Sequence, residues 1–461
     1  MEFFLQRIKT QKFWFYSALL ALLAIAAFFL FWHLGTRPLI DWDESIYAQV
    51  AKEALLNHRP FHFTFFGKNW FDKPPLMVWL TELSFSVFGI TEWGARFFTA
   101  LFALATILLT YFFAVKISGK KLAGLLTVLA YFICYHFFYH AYFLEFDIPV
   151  GFFILLSIFS FLLALEKPKF FYLFFASLAL GVLTKSVVGL LPLPILLLYC
   201  LLIRRFDFLK LREFYYGLAM FFLIAAPWHI IESILFGKTF WQAYLFYHVI
   251  SRFVQPIENN GGPFWYYLPT LYQNYIFGFL SGVSVVYFLI RAFKIKTYAL
   301  PVIAFVFIFL FFSASQTKGD GYVTVMYPYL LSIIGVTLAD LLKISPYRLL
   351  SYIAALCLGA VFIGLAWQED AYKMFKLETD RYYNDNKNIA AYINANYPAT
   401  PVYALTWVEG NLALDYYLGR YIPALPKGMT LPAHYFDAKN RVFHAMKRSV
   451  YKLDGYLYLA P

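Results

Sequence analysis

The sequence predicts an all-α polytopic membrane protein with a small polar domain at its C-terminal end. Of the 461 residues, 62% are hydrophobic and 14% are charged, whereas a soluble globular chain has roughly 45–50% apolar and about 25% charged residues. Apolar runs of about 20 residues, long enough to cross a bilayer, recur along the chain, and we expect about 11–13 transmembrane helices.

The first apolar run, residues 13–34, follows a basic start. It is too long for the apolar core of a signal peptide and no small-residue cleavage site follows it, so we expect a retained span. A short apolar segment at 76–90 is interrupted by Glu82, and we expect it to be interfacial or re-entrant. The remaining predicted spans are 93–115, 122–141, 148–165, 170–184, 187–203, 214–235, 271–290, 297–313, 326–342 and 349–367.

Loops rich in Lys and Arg alternate along the chain with longer, less regular loops. The positive-inside rule places the basic loops and the N-terminus in the cytoplasm. It also explains much of the net charge of +12, so we expect no nucleic-acid partner. The loops 35–92 and 236–270 then face outward. We predict a transmembrane domain at 1–367 and an outward-facing α/β domain at 368–461, because short apolar stretches there alternate with Pro and Gly turns.

Three carboxylates, those of Asp41, Asp43 and Glu44, lie within four positions of the first outward loop. Ionisable groups at membrane depth usually line a polar cavity or have a partner, and a carboxylate there could deprotonate an acceptor hydroxyl. The alternative is a solvated loop or a cap for the helix that begins near Ser45. The residues alone leave both interpretations open.

The same loop ends in Asp72 and Lys73, followed by Pro74 and Pro75. Lys73 could bind a lipid-linked phosphate as a point charge. Alternatively, it could form an interfacial pair with Asp72, with its aliphatic stem in the apolar region. The residues alone favour the second interpretation.

An Asp-Glu-x-x-Tyr motif at 43–47, followed some 25 residues later by Phe-Asp-Lys-Pro at 71–74, resembles the C-type glycosyltransferases. These multi-spanning enzymes use polyprenyl-phosphate sugars. Within them, the chain is most similar to the bacterial lipid A aminoarabinose transferases of the wider protein mannosyltransferase-like group. Further matching motifs, in the expected order, lie at 145–149, 181–185, 226–228, 248–253, 263–269, 313–318 and 322–328.

The resemblance implies an inverting displacement at the anomeric carbon of the sugar, with polyprenyl phosphate as the leaving group. It implies Asp43 as the base or acceptor-orienting residue, with Glu44 beside it and Asp147 as a neighbour across the cavity. The predicted donor-phosphate ligands are Lys73, Lys185, Arg252, Lys318 and Tyr322. The four cations lie at outward ends of spans, which the positive-inside rule does not explain.

A cofactor is not required by this chemistry, but a divalent metal ion is an open alternative. Asp72 and His248 match positions where the aminoarabinose transferases can hold such an ion. Two ligands alone do not define a metal site, and His248 could instead form a hydrogen bond within an aromatic loop.

We therefore expect a glycosyltransferase of the bacterial inner membrane with its active site on the periplasmic face. The expected partners are a polyprenyl-phosphate sugar, membrane lipids, and a lipid or glycan acceptor such as lipid A, which would receive aminoarabinose or a related sugar. One alternative is O-glycosylation of exported proteins with the same donor type. A transporter or flippase is less favoured, because the ionisable residues cluster at the ends of spans and no internal repeat is evident.

Overall fold

The computed structural model is mostly α-helical. It describes residues 2–343 except 41, 259, 273 and 274, together with short stretches farther along the chain. These stretches are 359, 364, 386–387, 390–391, 393–395, 402–404, 412–421, 434–437, 442–445 and 457–459.

Helices make up most of the described chain before residue 344. The α-helices are α1 (Glu2–Phe31), α2 (Asp43–Asn57), α3 (Leu76–Phe88), α4 (Glu92–Ser118), α5 (Lys121–Tyr131), α6 (Tyr135–Ala141), α7 (Asp147–Ala164), α8 (Phe170–Lys185), α9 (Pro192–Ile203), α10 (Arg212–Trp241), α11 (Arg252–Val254), α12 (Tyr275–Ala292), α13 (Ala299–Ala314) and α14 (Tyr327–Lys343). A π-helix, Gln242–Ser251, connects α10 to α11. Short 3-10 turns are Ser186–Leu190, Asp207–Lys210, Pro269–Tyr272, Lys296–Tyr298 and Asp320–Met326.

Seven helical stretches in the described part of the chain are long and apolar enough to cross a membrane. They are Glu92–Ser118, Asp147–Ala164, Phe170–Leu190, Arg212–Val254, Tyr275–Ala292, Lys296–Ala314 and Asp320–Leu342. Shorter apolar helices are Phe15–Phe31, Leu76–Phe88 and Pro192–Ile203. The prediction of a polytopic α-helical membrane protein is confirmed, while the predicted span at 349–367, apart from residues 359 and 364, lies outside the described residues.

Two predicted segments differ in detail from the structure. The predicted span 122–141 is not one helix, because α5 and α6 are bent by 70° at a short break and form at most one broken span. The predicted outward loop 236–270 begins as helix, since the helical stretch that starts at Arg212 continues to Val254. The apolar pattern is the same in a straight and a broken helix, so hydropathy could not locate the break between α5 and α6.

The chain forms two compact units. The first comprises Met1–Trp32, Phe71–Met77 and Phe97–Met374, and the second comprises His33–Trp70, Val78–Arg96 and Phe375–Pro461. In the first unit, α7 packs on α8 and α8 packs on α10, while α14 packs on α5, α12 and α13. Helices α5 and α14 approach closely because Gly335 has no side chain, and a Cβ atom there would collide with Thr127.

Helix α10 contains a sharp break at Gly237, where φ is 52° and ψ is −123°. Only glycine adopts this backbone region readily. The chain folds back after the break, since the rings of Trp228 and Phe240 lie 5.5 Å apart. In a straight helix, twelve residues would separate them by about 18 Å along the axis.

The second unit contains α2, α3 and a two-stranded hairpin of β1 (Thr64–Phe65) and β2 (Lys68–Asn69). Its C-terminal part contains α15 (Leu412–Leu418), which packs on α2. A four-stranded antiparallel sheet has the order β3 (Val402–Ala404), β6 (Leu457–Leu459), β4 (His434–Asp437), β5 (Val442–Ala445). The α/β domain predicted at 368–461 stays a prediction, because much of that segment lies outside the described residues.

Candidate active site

A cavity of about 370 Å³ in the first unit brings together charged side chains from distant parts of the sequence. Its polar lining includes Asp72, Lys73, Lys185, His248, Arg252 and Tyr322. All six are predicted site residues. Much of the remaining lining is apolar and includes Val187, Val188, Val249, Ile250, Phe253, Val254, Phe311 and Phe312. The cavity therefore combines three basic side chains, those of Lys73, Lys185 and Arg252, with a hydrophobic wall.

Asp72 and Lys73 reach the cavity from the segment that precedes α3. The Asp72 Oδ1 atom lies 2.9 Å from Nε2 of His248. Burial raises the pKa of the Asp72 carboxyl, but the hydrogen bond and charge of His248 and the charges of Lys73 and Arg252 outweigh that effect. The pKa of Asp72 therefore lies below its ordinary value, and the carboxylate is ionised at neutral pH.

Lys185 is the last residue of α8, and Asp147 is the first residue of α7. The Nζ atom of Lys185 donates to Oδ1 of Asp147 over 2.6 Å, and both side chains are largely buried. The ammonium also lies 4.3 Å from the ring centroid of Tyr322. Pro149 fits the first turn of α7, where an N–H group would have no partner within the helix. The packing of α7 on α8 thus brings two predicted site residues into direct contact.

Arg252 follows the π-helix that carries His248. Its Nη1 donates to the Tyr322 hydroxyl over 3.3 Å. Its Nη2 lies 2.9 and 2.8 Å from the two carboxylate oxygens of Glu258. The guanidinium therefore lies between a cavity residue and an acidic loop residue.

The loop after α13 holds the backbone around Arg252. The Arg252 carbonyl accepts hydrogen bonds from the Thr317 amide over 3.0 Å and from the Ser315 hydroxyl over 3.1 Å. The Lys318 amide donates to the Asn260 carbonyl over 2.7 Å. These bonds connect two segments separated by some sixty residues, so the position of Arg252 depends on both of them.

Lys318 does not line this cavity, although it was predicted to bind the donor phosphate. Its side chain is buried, and Nζ donates to the carbonyls of Ser313 and Phe312 over 2.7 and 3.3 Å. These carbonyls belong to the last turn of α13, where a cation is favourable. Burial lowers the pKa of the ammonium. The geometry favours a helix cap over a phosphate ligand.

Glu44 belongs to the second unit and forms a buried ion pair that was not predicted. Its carboxylate accepts from Nε and Nη2 of Arg96 over 2.8 and 2.9 Å and from the Ile40 amide over 2.8 Å. The two side chains are 0% and 1% exposed. Both oxygens are thus engaged within the protein, which favours a structural role for Glu44 over the predicted catalytic one.

Asp43 differs from its neighbour because its side chain is exposed. It is the first residue of α2, and within the described residues its carboxylate makes no hydrogen bond or ion pair. The preceding Trp42 has φ 66° and ψ −123°, a region that costs a non-glycine residue about 1–3 kcal/mol. Because Asp43 and Asp147 belong to different units, their predicted proximity stays a prediction.

Several known proteins are similar to this chain in sequence. The family model of dolichyl-phosphate-mannose-protein mannosyltransferases matches residues 72–231. A protein of Aquifex aeolicus (strain VF5) is 30% identical over 344 residues, which cover 73% of this chain and 76% of that one. The undecaprenyl phosphate-α-4-amino-4-deoxy-L-arabinose arabinosyl transferase of Aeromonas hydrophila is 27% identical over 334 residues, or 69% of this chain and 60% of that one.

Solved structures share the fold. ArnT from Cupriavidus metallidurans, bound to undecaprenyl phosphate, matches with a TM-score of 0.75 at 20% identity, over 89% of this chain and 86% of that one. With the family model and the relatives matched in sequence, this fold shows that the chain belongs to the C-type glycosyltransferases related to the aminoarabinose transferases. An oligosaccharyltransferase from Archaeoglobus fulgidus also matches, with a TM-score of 0.60 at 14% identity, over 88% of this chain and 62% of that one.

The matched stretch covers only part of the length of several relatives. The matched stretch covers 59% of another Aquifex aeolicus protein, which is 29% identical over 302 residues. It covers about three fifths of the Aeromonas hydrophila and Aeromonas salmonicida arabinosyl transferases.

The divalent metal ion that the family resemblance leaves as an alternative would have two candidate ligands here. Asp72 and His248 are in contact, so they could supply two ligands to one ion. The described residues contain no group of three or more His, Cys, Asp and Glu side chains that could hold a metal. A metal-binding histidine usually donates its other ring N–H to an oxygen, but Nδ1 of His248 has no partner in the described part of the chain. These residues do not complete a site, and a bound metal stays a prediction.

Two features of this glycosyltransferase were missed in the sequence. In one, Nδ1 of His140 lies 2.8 Å from Oε2 of Glu145, and its Nε2 lies 3.2 Å from Nε2 of His136. The spacing of the two histidines, four residues apart on a helix, could have revealed that pair. The other is Glu258, which lies in an irregular loop where no periodicity indicates a partner.

Proposed function

We propose that this protein transfers a sugar from a polyprenyl-phosphate carrier to an acceptor in the cell envelope. The observation that carries the proposal is the cavity in which Lys73, Lys185 and Arg252 meet an apolar wall. A polyprenyl phosphate has the matching chemistry, since an anionic phosphate is attached to a long hydrocarbon chain. A soluble anionic substrate would not need the hydrophobic wall.

In the proposed reaction, an acceptor hydroxyl or phosphate oxygen attacks the anomeric carbon of the sugar. The new carbon–oxygen bond forms as the bond between that carbon and the oxygen of the carrier phosphate breaks, and the electron pair stays on the carrier phosphate. Where the acceptor is a hydroxyl, Asp43 would accept its proton. The products are the glycosylated acceptor and polyprenyl phosphate, a monoester.

The cations would stabilise the charge that develops on the leaving phosphate. Fixed charges in a site of low dielectric act strongly on such a group and need little reorganisation. Lys73 and Arg252 would contact the phosphate, and Tyr322 would hold Arg252 through the hydrogen bond to its hydroxyl. Lys185, already paired with Asp147, would contribute less net charge.

We further propose undecaprenyl phosphate as the carrier, lipid A as the acceptor and aminoarabinose or a related sugar as the group transferred. The names of the arabinosyl transferase relatives and the lipid bound to ArnT support the carrier and the sugar, while lipid A as the acceptor rests on the resemblance of the sequence motifs to the lipid A aminoarabinose transferases. The match to the protein mannosyltransferase family model supports a second candidate, O-glycosylation of exported protein. Mass spectrometry of lipid A and of envelope proteins, from cells with and without this protein, separates the two. Identical lipid A in the two strains would contradict lipid A as the acceptor.

The central test of the proposed reaction is Asp43→Asn. Removing a general base lowers the rate by about 10²–10⁴-fold, while the exposed position predicts expression and detergent stability near those of the wild type. Transfer from undecaprenyl-phosphate-linked sugar by purified protein provides the measurement. Full activity of Asp43→Asn would exclude Asp43 as the base. A small loss would indicate a phosphate acceptor, which is already ionised, and a positioning role for Asp43.

The proposed reaction takes place on the outer face, with the N-terminus in the cytoplasm. The alternating Lys and Arg content of the loops supports this orientation. Reporter fusions after Arg212 and after Trp367 test it, with cytoplasmic and external signals expected respectively. A cytoplasmic signal from the second fusion would overturn the topology.

A further inference from the structure

Arg252 pairs with an acid, Glu258, that does not line the cavity. Both carboxylate oxygens of Glu258 lie within 2.9 Å of Nη2 of Arg252. The two side chains are 20% and 30% exposed. Glu258 is absent from the residues that line the cavity, so it can influence a bound phosphate only through Arg252 or across space.

Glu258 is held in this position by its backbone. Its φ is 57°, in the left-handed region that non-glycine residues seldom adopt. The preceding Ile257 amide donates to the Thr317 hydroxyl over 3.1 Å, and that hydroxyl donates to the Gln255 carbonyl over 2.9 Å. The loop backbone therefore places the Glu258 carboxylate beside Arg252.

In the proposed reaction, an acid beside Arg252 would help the product to leave the cavity. The donor is a phosphodiester with one negative charge, whereas the product is a monoester with about −1.5 to −2 charges at pH 7. A cluster of cations attracts the product more strongly than the donor, because Coulomb energy scales with the charge of the ligand. Without a counter-charge, the product would remain bound and inhibit the next turnover.

We propose that Glu258 offsets part of the charge of Arg252 and thereby favours the donor over the product. This inference rests on the proposed function. Glu258 repels each bound lipid phosphate in proportion to its charge, so it weakens product binding more than donor binding. It acts as a specificity residue that speeds product release, and it takes no part in bond making or proton transfer.

The test is the affinity of purified wild type and Glu258→Gln for two lipids. The first is undecaprenyl phosphate, which represents the product, and the second is its methyl ester, a diester with the charge of the donor. If the diester binds roughly 3-fold more tightly to Glu258→Gln, the monoester should bind roughly 10-fold more tightly, because doubling the ligand charge doubles the repulsion that is removed. Multiple turnovers should slow, while a single turnover should be unchanged.

Two variants serve as controls. Glu166→Gln removes the same charge from a pair with Lys116 outside the cavity, and its lipid affinities should equal those of the wild type. Glu258→Asp retains the charge and should restore the wild-type preference. If both lipids bind wild type and Glu258→Gln equally well, or if both affinities rise by the same factor, the role of Glu258 is excluded. If wild type binds neither lipid, the proposed function itself fails.

Discussion

Two arginines of this protein each pair with a glutamate, yet their surroundings are opposite. Arg96 is fully buried, and it donates to Glu44 and to three backbone carbonyls of the segment before α2. Arg252 is partly exposed, pairs with Glu258, and lines a cavity. The donors of Arg96 are used within the protein, whereas Arg252 faces a space that a ligand can occupy.

The difference separates charges that stabilise the fold from charges that serve binding. A buried charge is tolerated only when hydrogen bonds replace its hydration, as they do for Arg96. A cation that lines a cavity can exchange its protein partner for an anionic ligand. The same contrast distinguishes neighbouring acids, since Glu44 belongs to the buried pair and Asp43 is exposed.

The largest effect is expected from breaking the buried pair. Glu44→Ala leaves Arg96 charged and without its carboxylate partner, which should destabilise the protein by about 3–5 kcal/mol. Asp43→Ala, one residue earlier, should leave stability near that of the wild type. Thermal unfolding in detergent and the yield of folded protein measure both variants.

The comparison fails if the two alanine variants are equally stable. It would also fail if Glu44→Ala were stable but inactive, because Glu44 would then be a catalytic residue as the resemblance to the family implies. A stable, inactive Asp43→Ala beside an unstable Glu44→Ala is the expected result.

The sequence was sufficient to predict a polytopic α-helical membrane protein, whereas the number of spans and their orientation stay predictions. Apolar runs and Lys/Arg-rich loops are averages over many residues, so they locate helices even when single positions deviate. Hydropathy did not reveal the bend between α5 and α6 or the fold-back at Gly237. Those breaks depend on a few backbone dihedral angles.

For the candidate site, the sequence indicated some residues correctly and misplaced or missed others. Lys73, Lys185 and Arg252, three of the predicted phosphate ligands, line one cavity, and their binding of phosphate stays a prediction. Lys318 was selected by the same reasoning but caps α13. Motif order places a residue near the site, whereas the direction of a long side chain depends on tertiary packing. Glu258 was missed because it lies in an irregular loop, where sequence spacing does not indicate its partner Arg252.

The next largest effect is expected from Lys73→Ala, which changes a residue of the cavity and should weaken lipid binding. A charge-assisted contact contributes about 1.5–3 kcal/mol, so we expect undecaprenyl phosphate to bind roughly 10- to 150-fold more weakly. Lys73→Arg should retain part of the affinity, because charge matters more than shape at a single contact. Lys68→Ala is the matched control, since Lys68 lies in the hairpin β1–β2 and contacts the ring of Tyr421.

A structural role for Lys73 makes a different prediction. If Lys73 served only as an interfacial partner of Asp72, Lys73→Ala would lower thermal stability and leave lipid affinity unchanged. Equal lipid affinities of Lys73→Ala, Lys68→Ala and the wild type would remove Lys73 from the donor site and leave Arg252 and Lys185 as its cations.

The smallest effect is expected at Gly237, where helix α10 breaks before the segment that carries His248 and Arg252. Gly237 has no neighbour within 4 Å of a Cβ atom built on it, so Gly237→Ala creates no steric clash. Its backbone conformation nevertheless costs a non-glycine residue about 1–3 kcal/mol. Gly282 in α12 also has open space around it, but its φ is ordinary, and Ala is the better helix former there by about 1 kcal/mol.

Gly237→Ala should therefore lower stability and weaken undecaprenyl phosphate binding, while Gly282→Ala should lower neither. The reason is that the break lets the chain after Phe240 fold back on Trp228, and His248 and Arg252 belong to that returning segment. If alanine straightens the helix locally, both side chains move relative to Lys73, and the cavity loses its arrangement before the fold is lost. Thermal unfolding and lipid titration of the two variants separate these effects. Weaker stability with unchanged lipid affinity would mean that the break serves the fold alone, and Arg252 would then owe its position to the Thr317 and Ser315 hydrogen bonds.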